Sequence, residues 1–258
     1  MSAPCLPVSY FSPAPPGKPN FGDALNAKLL PLLTGRPVQH VPFGAPLPSY
    51  LVIGSTLQLA TTYSRIWGAG FISNSESLEL SSLQVDALRG PLSRSMLHAK
   101  GIYCPAVFGD PAILLPLLYA PPVAKTWDLA VIPHYVDQGH PAVAKMSRLP
   151  GVCVVDVLGP WRRVIRQICS SRYVFSSSLH GLIVADAYGV PNLRFVATDR
   201  IIGGDFKFDD YRQGVGGRSF IRVPVEDIAD SPRSWFGACY FSPTLDAALE
   251  LIRSCPFL

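Results

Sequence analysis

The sequence predicts an α/β protein in which short buried strands alternate with helices along the whole chain. Apolar runs of strand length recur, and each is followed by a turn rich in glycine, serine or proline and then by a helix-like segment. The chain has 258 residues, enough for one large α/β unit or two small ones. Hydrophobic residues make up 48% and charged residues 16%, which indicates a substantial core and argues against intrinsic disorder.

The first series of elements follows a proline-rich start that is expected to be extended. The segment FGDALNAKLLPLL (21–33) has apolar residues at helical spacing, with Asp23 placed as a helix-start residue and Pro31 expected to end or kink the helix. Pro91 should lie in the first turn of the next helix, and Asp110 with the proline after it should start another. Strands are predicted in YLVIGS (50–55), RIWGAGF (65–71) and QVDALRG (84–90).

A second series begins near residue 122. Its segment GVCVVDV (151–157) is nearly all apolar and β-branched, as central parallel strands are. Further strands are predicted in TWDLAVIPHY (126–135), SRYVFSS (171–177) and LRFVA (193–197). Helices are predicted in WRRVIRQICS (161–170), LHGLIVADAYG (179–189) and PTLDAALELIRSC (243–255). The break in composition at YAPPVA (119–124) predicts domains at 1–120 and 121–258, and the last helix could pack back on the first.

Composition excludes several classes of protein. The net charge of +4 is too small and too scattered for a nucleic-acid-binding protein, but it suits an enzyme that handles anionic small molecules near an anionic membrane. The six cysteines form no CxxC pair, which argues against a zinc site and favours reduced thiols. No secretory signal is expected, and the apolar stretch 105–124 contains Asp110 and five prolines, so it cannot form a continuous spanning helix.

The most informative polar segment is the serine run before His180. In open parallel sheets, ligands bind beyond the carboxyl ends of strands. Ser176, Ser177 and Ser178 follow a predicted strand, and His180 begins an apolar helix, so hydroxyls and helix-start N–H groups could hold an anion there. The alternative, in which the serines only cap the helix and His180 lies on the surface, is equally compatible with the spacing.

Other candidates also follow strands or precede helices. Asp23 comes directly after Asn20-Phe21-Gly22. Arg89 could form a fork for carboxylate or phosphate, or a surface ion pair. His134 could bind a ligand, or be a structural histidine.

Two further segments have open interpretations. Gly68 and Gly70 in WGAG resemble part of a phosphate loop, although a tight turn beside a ligand fits as well. Lys207 opens the polar cluster KFDDY (207–211), which could also be a solvated loop.

Seven segments, in this order, resemble the polysaccharide pyruvyl transferase family. The set is similar to the short bacterial ketal pyruvate transferases of exopolysaccharide assembly, such as the xanthan-type enzyme. The segments are NFGD (20–23), WGAGF (67–71), ALRGPLSR (87–94), VFGDPAILLP (107–116), VIPHYVD (131–137), SSSLHGLIVADAYGVPN (176–192) and KFDDY (207–211).

The resemblance implies a glycosyltransferase-B-like fold, with two Rossmann-like halves and the active site in the cleft between them. It implies phosphoenolpyruvate as the donor, and a sugar diol of an exopolysaccharide or of its lipid-linked repeat unit as the acceptor. It implies no cofactor and no obligatory metal. The product would be a cyclic pyruvate ketal, with release of phosphate.

By the same resemblance, the functional positions are His180, Asp23 and Arg89. The chemistry of the expected donor then makes His180 the expected general acid, Asp23 the base or hydroxyl anchor, and Arg89 the ligand of the donor's anionic groups. Many members have Arg-Leu-His where this chain has Ser178-Leu179-His180, so another cation must replace the arginine. The candidates are Lys207, Arg94 and Arg212. The expected substrate-binding residues are Asn20, Gly68, Gly70, Arg94, His134, Ser176, Ser177, Ser178 and Lys207.

Two other functions remain open from the sequence. One is a nucleotide-sugar-dependent glycosyltransferase of the same fold, and the other is a non-catalytic carbohydrate-binding subunit. The expected location is the cytoplasm, with weak attachment to the inner membrane surface. Arg162, Arg163 and Arg166 on one short helix could provide that attachment, or could form only a solvated face.

Overall fold

The computed structural model describes residues 4–12 and 20–258, which form two five-stranded sheets whose strands are all parallel. The first sheet has the order β2-β1-β3-β4-β5, with β1 at Leu6–Val8, β2 at Val38–His40, β3 at Ser49–Leu51, β4 at Ser64–Trp67 and β5 at Gln84–Ala87. The second has the order β10-β9-β8-β6-β7, with β6 at Trp127–Ile132, β7 at Val152–Val154, β8 at Ser171–Ser176, β9 at Asn192–Val196 and β10 at Arg222–Pro224. The prediction of an α/β fold with two Rossmann-like halves is confirmed.

The helices are α1 (Phe21–Thr34), α2 (Pro91–Ala99), α3 (Leu115–Leu118), α4 (Pro141–Met146), α5 (Trp161–Cys169), α6 (Leu179–Ala187), α7 (Phe206–Gly214), α8 (Val225–Ala229) and α9 (Leu245–Arg253). In the second half a helix connects each strand to the next in sequence, whereas in the first half α1 alone among the described helices does so, between β1 and β2. Within the described residues, 3-10 turns lie at Leu57–Leu59, Pro111–Leu114 and Pro232–Ala238. As predicted, Pro91 lies in the first turn of α2, and Asp110 caps the turn that begins at Pro111.

Helix α1 differs from the prediction at both ends. Asn20, rather than Asp23, caps it, because the side-chain oxygen of Asn20 accepts the backbone N–H of Asp23 at 3.2 Å. The carboxylate of Asp23 is therefore not used for capping. Pro31 lies inside the helix, which continues to the left-handed Gly35. Burial of Leu30 and other apolar residues of α1 offsets the cost of an internal proline, about 3 kcal/mol.

The prediction that GVCVVDV is a central strand is wrong, because β7 is the edge strand of the second sheet. The apolar character of the segment has a different cause. Beyond β7, Val155 and Val157 are buried in the hydrophobic core that both halves share. The Val157 carbonyl accepts the Phe21 N–H at 2.7 Å, which fixes this segment against the start of α1.

Helix α7 contains the whole KFDDY segment, so the alternative of a solvated loop is wrong. Lys207, Asp210 and Tyr211 are buried there. The helix lies between β9 and β10 of the second half in sequence, yet it packs against α2 of the first half. It thus connects the two halves.

The last helix also packs on the first half. The indole N–H of Trp67, at the end of β4, donates to the Leu251 carbonyl of α9 at 3.1 Å. The strands of the first sheet all precede residue 120 and those of the second all follow it, whereas the domain boundary itself stays a prediction. Within residues 4–12 and 20–258, no helix combines the length and apolar character needed to cross a membrane.

Candidate active site

A cavity of about 640 Å³ lies at the carboxyl ends of strands from both sheets. Its wall includes residues that follow β1, β3, β6, β8 and β9, in the region where parallel sheets bind ligands. These residues are, in the same order, Phe11, Ser55, His134, Ser178 and Arg200. Both halves therefore contribute to one site.

Two helices, one from each half, begin at this cavity. Asn20 caps α1 and Ser178 caps α6, and both residues line the wall. The unpaired N–H groups of a helix's first turn, together with the helix dipole, favour a phosphate or carboxylate. This applies mainly to α6, because the Phe21 and Asp23 N–H groups of α1 already donate to the Val157 carbonyl and the Asn20 side chain. The side chain of Asn20 is used in capping, whereas that of Ser178 makes no capping bond among the described residues. The Ser178 hydroxyl is therefore available to a ligand.

His180 lies in the first turn of α6, against a buried carboxylate that the sequence analysis did not place in the site. Its Nε2 is 3.4 Å from Oδ2 of Asp110, and neither atom has a hydrogen-bond partner among the described residues. A methyl group added at Gly22 would overlap the imidazole, so α1 packs directly on the ring. The sequence predicted only the capping role of Asp110, and its position in the VFGDP motif was the one signal for a second role.

Asp23 lines the same cavity, and the pKa of its carboxyl group is raised. Burial raises its pKa to about 6, although the charge of His180 and a hydrogen bond from Asn20 oppose that rise. The Asn20 amide donates to Oδ2 of Asp23 at 2.5 Å. A carboxylate with a pKa near neutrality can accept a proton and release it again.

His134 lines the cavity as a neutral ring. Burial, followed by the charge of Lys207, lowers its pKa to about 4. The Val136 N–H approaches Nδ1 at 3.4 Å, which favours the tautomer with its proton on Nε2. The backbone N–H of His134 donates to the Ser177 hydroxyl at 2.8 Å. His134 can therefore donate a hydrogen bond to a ligand, but near pH 7 it does not provide a positive charge.

The serine run divides into structural and available hydroxyls. Ser177 donates to Oδ2 of the fully buried Asp137 at 2.9 Å, and Ser176 donates to the Ile132 carbonyl at 3.0 Å. Both are buried and do not line the cavity, whereas Ser178 does. Neither hydroxyl caps α6, so the capping alternative is not confirmed for these two serines, which hold the loops around the site in place.

Lys207 is the buried cation of the cavity. Burial, together with the charges of Arg89 and Arg194, lowers its pKa to about 8. Its Nζ donates to the Ile202 carbonyl at 2.9 Å. Arg200, an exposed residue that sequence analysis missed because it lies in an irregular loop, also lines the wall.

The other two candidates for the replacing cation do not line the cavity. Arg94 donates to the Cys104 carbonyl at 3.1 Å. Arg212 is fully buried beside Asp186, with 3.2 Å between its Nη1 and Oδ2 of the carboxylate. Of the three cations considered from the sequence, Lys207 is thus the one in the cavity wall.

Arg89 is fully buried behind the cavity rather than in its wall. Its Nε and Nη2 both contact Oδ2 of Asp210 in α7, at 3.0 and 2.9 Å. Its Nη1 donates to the hydroxyl of Ser55, which does line the cavity, at 2.8 Å. The structure therefore does not place Arg89 where it would contact a donor directly, and the surface-ion-pair alternative fails as well because the pair is buried.

Gly68 and Gly70 also lie outside the cavity wall. A methyl group on Gly70 would lie 2.6 Å from the Arg89 guanidinium carbon, and one on Gly68 would overlap Pro111. The two glycines allow close packing against other parts of the protein and do not face a ligand cavity. They therefore do not act as a phosphate loop at this site.

Comparison with known proteins identifies the family. The family model described as polysaccharide pyruvyl transferase matches residues 66–200, just over half of the chain. The chain belongs to the polysaccharide pyruvyl transferase family. The chain is also 27% identical, over 218 residues, to the succinoglycan biosynthesis protein ExoV of Rhizobium meliloti (strain 1021). That alignment covers 82% of this chain and 67% of the relative. The resemblance inferred from the seven segments is confirmed, and the protein is a polysaccharide pyruvyl transferase enzyme.

The matched region of this pyruvyl transferase contains much of the cavity described above. His134, Ser178 and His180 lie within it, together with Asp110 behind the wall. Asp23 and Lys207 lie outside it and reach the cavity through α1 and α7. In neither described stretch do three or more histidine, cysteine or carboxylate side chains cluster as ligands of a metal ion would.

Proposed function

We propose that the enzyme transfers the pyruvyl group of phosphoenolpyruvate to a sugar diol of an exopolysaccharide, or of its lipid-linked repeat unit, as a cyclic ketal. One observation carries the proposal: a single cavity combines a histidine, a carboxylate with a pKa near neutrality, a buried lysine and the N-terminus of α6. The proposal includes a glycosyltransferase-B-like arrangement, with catalysis in the cleft between the halves.

The donor needs positive charge at two places, because it has both a carboxylate and a phosphate. Lys207 provides a cation, and the N-terminus of α6 provides N–H groups beside the Ser178 hydroxyl. In this proposal Lys207 replaces the arginine that many relatives have at the position of Ser178. The lowered pKa of Lys207 supports the assignment, since a bound anion would compensate the burial of its charge.

The chemistry requires an acid and a base. His180 donates a proton to the methylene carbon of the donor, which leaves the adjacent carbon cationic. One sugar hydroxyl attacks that carbon, phosphate leaves, and the second hydroxyl closes the ring. Of the two protons released by the hydroxyls, one balances the proton delivered to carbon and the other leaves with the phosphate. Asp23 accepts a hydroxyl proton, a role for which a pKa of about 6 is suited.

Arg89 acts on the donor indirectly in this account. Its partner Asp210 lies one helical turn after Lys207 in α7, and its other contact is Ser55 of the cavity wall. Arg89 therefore fixes the position of two wall residues from behind. Arg89 thus keeps the position that the family resemblance assigns to a functional arginine, but it positions wall residues instead of binding the donor.

The acceptor fits the less polar part of the wall. Tyr135 and Phe11, from opposite halves, are each 48% exposed and line the cavity beside Val136 and Leu158. The apolar face of a pyranose ring packs well on such aromatic rings. Neutral His134, whose ring centroid is 4.4 Å from that of Tyr135, can donate a hydrogen bond to a sugar hydroxyl.

The enzyme's place of action follows from its donor. Phosphoenolpyruvate is an intracellular metabolite, so we place the reaction in the cytoplasm, with a lipid-linked acceptor at the inner membrane. Arg162, Arg163 and Arg166 are exposed on α5 and form no ion pair with described residues. Helix α5 begins three residues after Leu158 of the cavity wall. A membrane surface bound by these arginines would lie near the site.

The proposal is tested by phosphate release from phosphoenolpyruvate with lipid-linked oligosaccharides and free oligosaccharides as acceptors. Acceptor-dependent release supports it. Thermal shifts with phosphoenolpyruvate and with a panel of nucleotide sugars address the glycosyltransferase alternative, since a ligand of the native state raises the melting temperature. A response to nucleotide sugars alone, without phosphate release, would reject pyruvyl transfer.

A further inference from the structure

We infer that Asp110 is a positioning residue for His180, holding the imidazole with its proton on Nε2 so that Nδ1 performs the proton transfer. The inference rests on the proposed function, in which His180 is the general acid. It assigns a second role to a residue that the sequence indicated only as a helix start. The evidence is the burial of the carboxylate, its rigid placement and its distance from the ring.

The burial of Asp110 requires a partner for its carboxylate. The side chain is fully buried, and Oδ2 has no hydrogen bond within the described residues. A buried carboxylate oxygen without a partner is costly. The His180 Nε2 at 3.4 Å is also buried and also lacks a partner. A small rotation of either side chain would join the two by a hydrogen bond.

The position of Asp110 is fixed by its surroundings. Its Oδ1 accepts the Ala112 N–H at 2.9 Å, which holds the carboxylate at the start of the 3-10 turn. That turn packs against α6, the helix that carries His180. Close packing of Gly68 on Pro111 leaves no room even for a methyl group. The carboxylate therefore cannot readily turn away from the imidazole.

The remaining groups around the pair do not compete for Nε2. Asp23 on α1 and His134 after β6 are close enough to interact electrostatically with His180, and Tyr211 on α7 interacts with Asp110. Within the described chain, Asp110 is the one carboxylate within 4.0 Å of a His180 nitrogen. With Nε2 directed at Asp110, Nδ1 is the nitrogen left to exchange a proton with the substrate. An aspartate that fixes a catalytic histidine's tautomer is a known device in serine hydrolases.

Asp110→Asn separates this role from the structural one. Asparagine caps helices about as well as aspartate, so the 3-10 turn is kept. Its amide N–H₂ can donate to Nε2 and would then favour a proton on Nδ1, the wrong tautomer. We expect kcat to fall about 100-fold or more, with a much smaller change in the KM for phosphoenolpyruvate. The ¹⁵N spectrum of histidine-labelled enzyme should show His180 changing tautomer.

Asp186→Asn is the matched control, because Asp186 is also a buried carboxylate but pairs with Arg212 away from the cavity. It should lower the melting temperature and leave the His180 tautomer unchanged. The tautomer measurement needs no substrate, so it remains decisive if phosphoenolpyruvate proves not to be the donor. An Asp110→Asn enzyme with the wild-type tautomer, or with the wild-type kcat, would overturn the inference.

Discussion

Arg89 and Asp210 form a fully buried ion pair between the two halves, with 2.9 Å between Nη2 and Oδ2. Asp210 also accepts the backbone N–H of Ser93 at 2.9 Å and its hydroxyl at 2.7 Å. A methyl group at Gly90 would overlap the Asp210 backbone, so α7 and the start of α2 are in direct contact. The arginine that the family resemblance assigns to the donor thus supports the site from within the protein.

Arg89→Lys should therefore affect stability as well as donor use. Lysine cannot reproduce the fork, and it leaves buried acceptors unpaired at a cost of about 1–3 kcal/mol in the free energy of unfolding. The KM for phosphoenolpyruvate should rise because Lys207 is displaced. Arg65→Lys is the control, since Arg65 makes a two-point contact with Asp86 but is 41% exposed. Urea unfolding and steady-state kinetics measure both effects, and unchanged stability in Arg89→Lys would contradict the structural role.

His180→Gln should abolish most turnover while leaving the fold intact. Removal of a general acid costs a factor of roughly 100 to 10,000 in rate. His98→Gln, at an exposed position on α2, should behave as the wild type. Circular dichroism verifies the fold, and phosphate release measures turnover. A His180→Gln enzyme with near-wild-type activity would remove His180 from the mechanism.

Deprotonation of Lys207 should set the upper pH limit for the use of phosphoenolpyruvate. Its pKa is about 8, so it is charged below that pH and neutral above it. The kcat/KM for phosphoenolpyruvate should consequently fall as the pH rises through about 8. Lys207→Arg keeps its charge to much higher pH and should lose this alkaline limb.

The acidic limb of the pH profile is less diagnostic, because both Asp23, with a pKa of about 6, and the donor phosphate, which titrates at about pH 6, contribute to it. An unchanged alkaline limb in Lys207→Arg would exclude the lysine as its cause.

Tyr135→Ala should raise the KM for the acceptor about 2- to 10-fold, because the variant loses the packing of the sugar on the aromatic ring. This factor corresponds to the free energy typical of one aromatic packing contact. Tyr135→Phe retains the apolar face and should stay close to the wild type. The KM for phosphoenolpyruvate should change in neither variant. Tyr103→Ala, at an 82% exposed position, is the matched control. A larger effect on the donor than on the acceptor would place Tyr135 in the donor subsite instead.

The α5 arginines should bind anionic membranes. Changing Arg162, Arg163 and Arg166 together to glutamine should weaken co-sedimentation with phosphatidylglycerol-containing vesicles on the order of 100-fold, at about 1 kcal/mol for each cation. Neutralising three exposed cations elsewhere, Lys100, Arg148 and Arg218, is the control. An equal loss of vesicle binding in both triple variants would show that net charge alone causes the binding, and would contradict a specific role of α5. Absence of vesicle binding by the wild type would also contradict the proposed surface.

The fold was largely predictable because its signals are local. Most inner strands lie in or beside apolar runs, and Pro91 and Asp110 indicated the beginnings of their elements. The short edge strands β2 and β10, which are largely exposed, have no such signal. The failures concern residues whose environment comes from distant parts of the chain. The apolar run around β7 ends in Val155 and Val157, which are buried in the core that both halves share, and the polar KFDDY segment is buried because α7 packs on the other half.

The site was predictable in part for the same reason. His180, Asp23, Ser178 and Lys207 lie at element starts and line the cavity together. The sequence could not distinguish Arg89 as a buried support from Arg89 as a ligand, because the difference depends on Asp210, which lies 121 residues away in the chain.

Product analysis in D₂O tests pyruvyl transfer most directly. If His180 delivers a solvent-derived proton to the donor's methylene carbon, the ketal methyl group formed in D₂O should carry one deuterium, and one phosphate should be released for each ketal. Proton NMR and mass spectrometry of the purified oligosaccharide measure both quantities. A product that keeps the methylene group, or one that forms from a nucleotide sugar without consumption of phosphoenolpyruvate, would contradict the account.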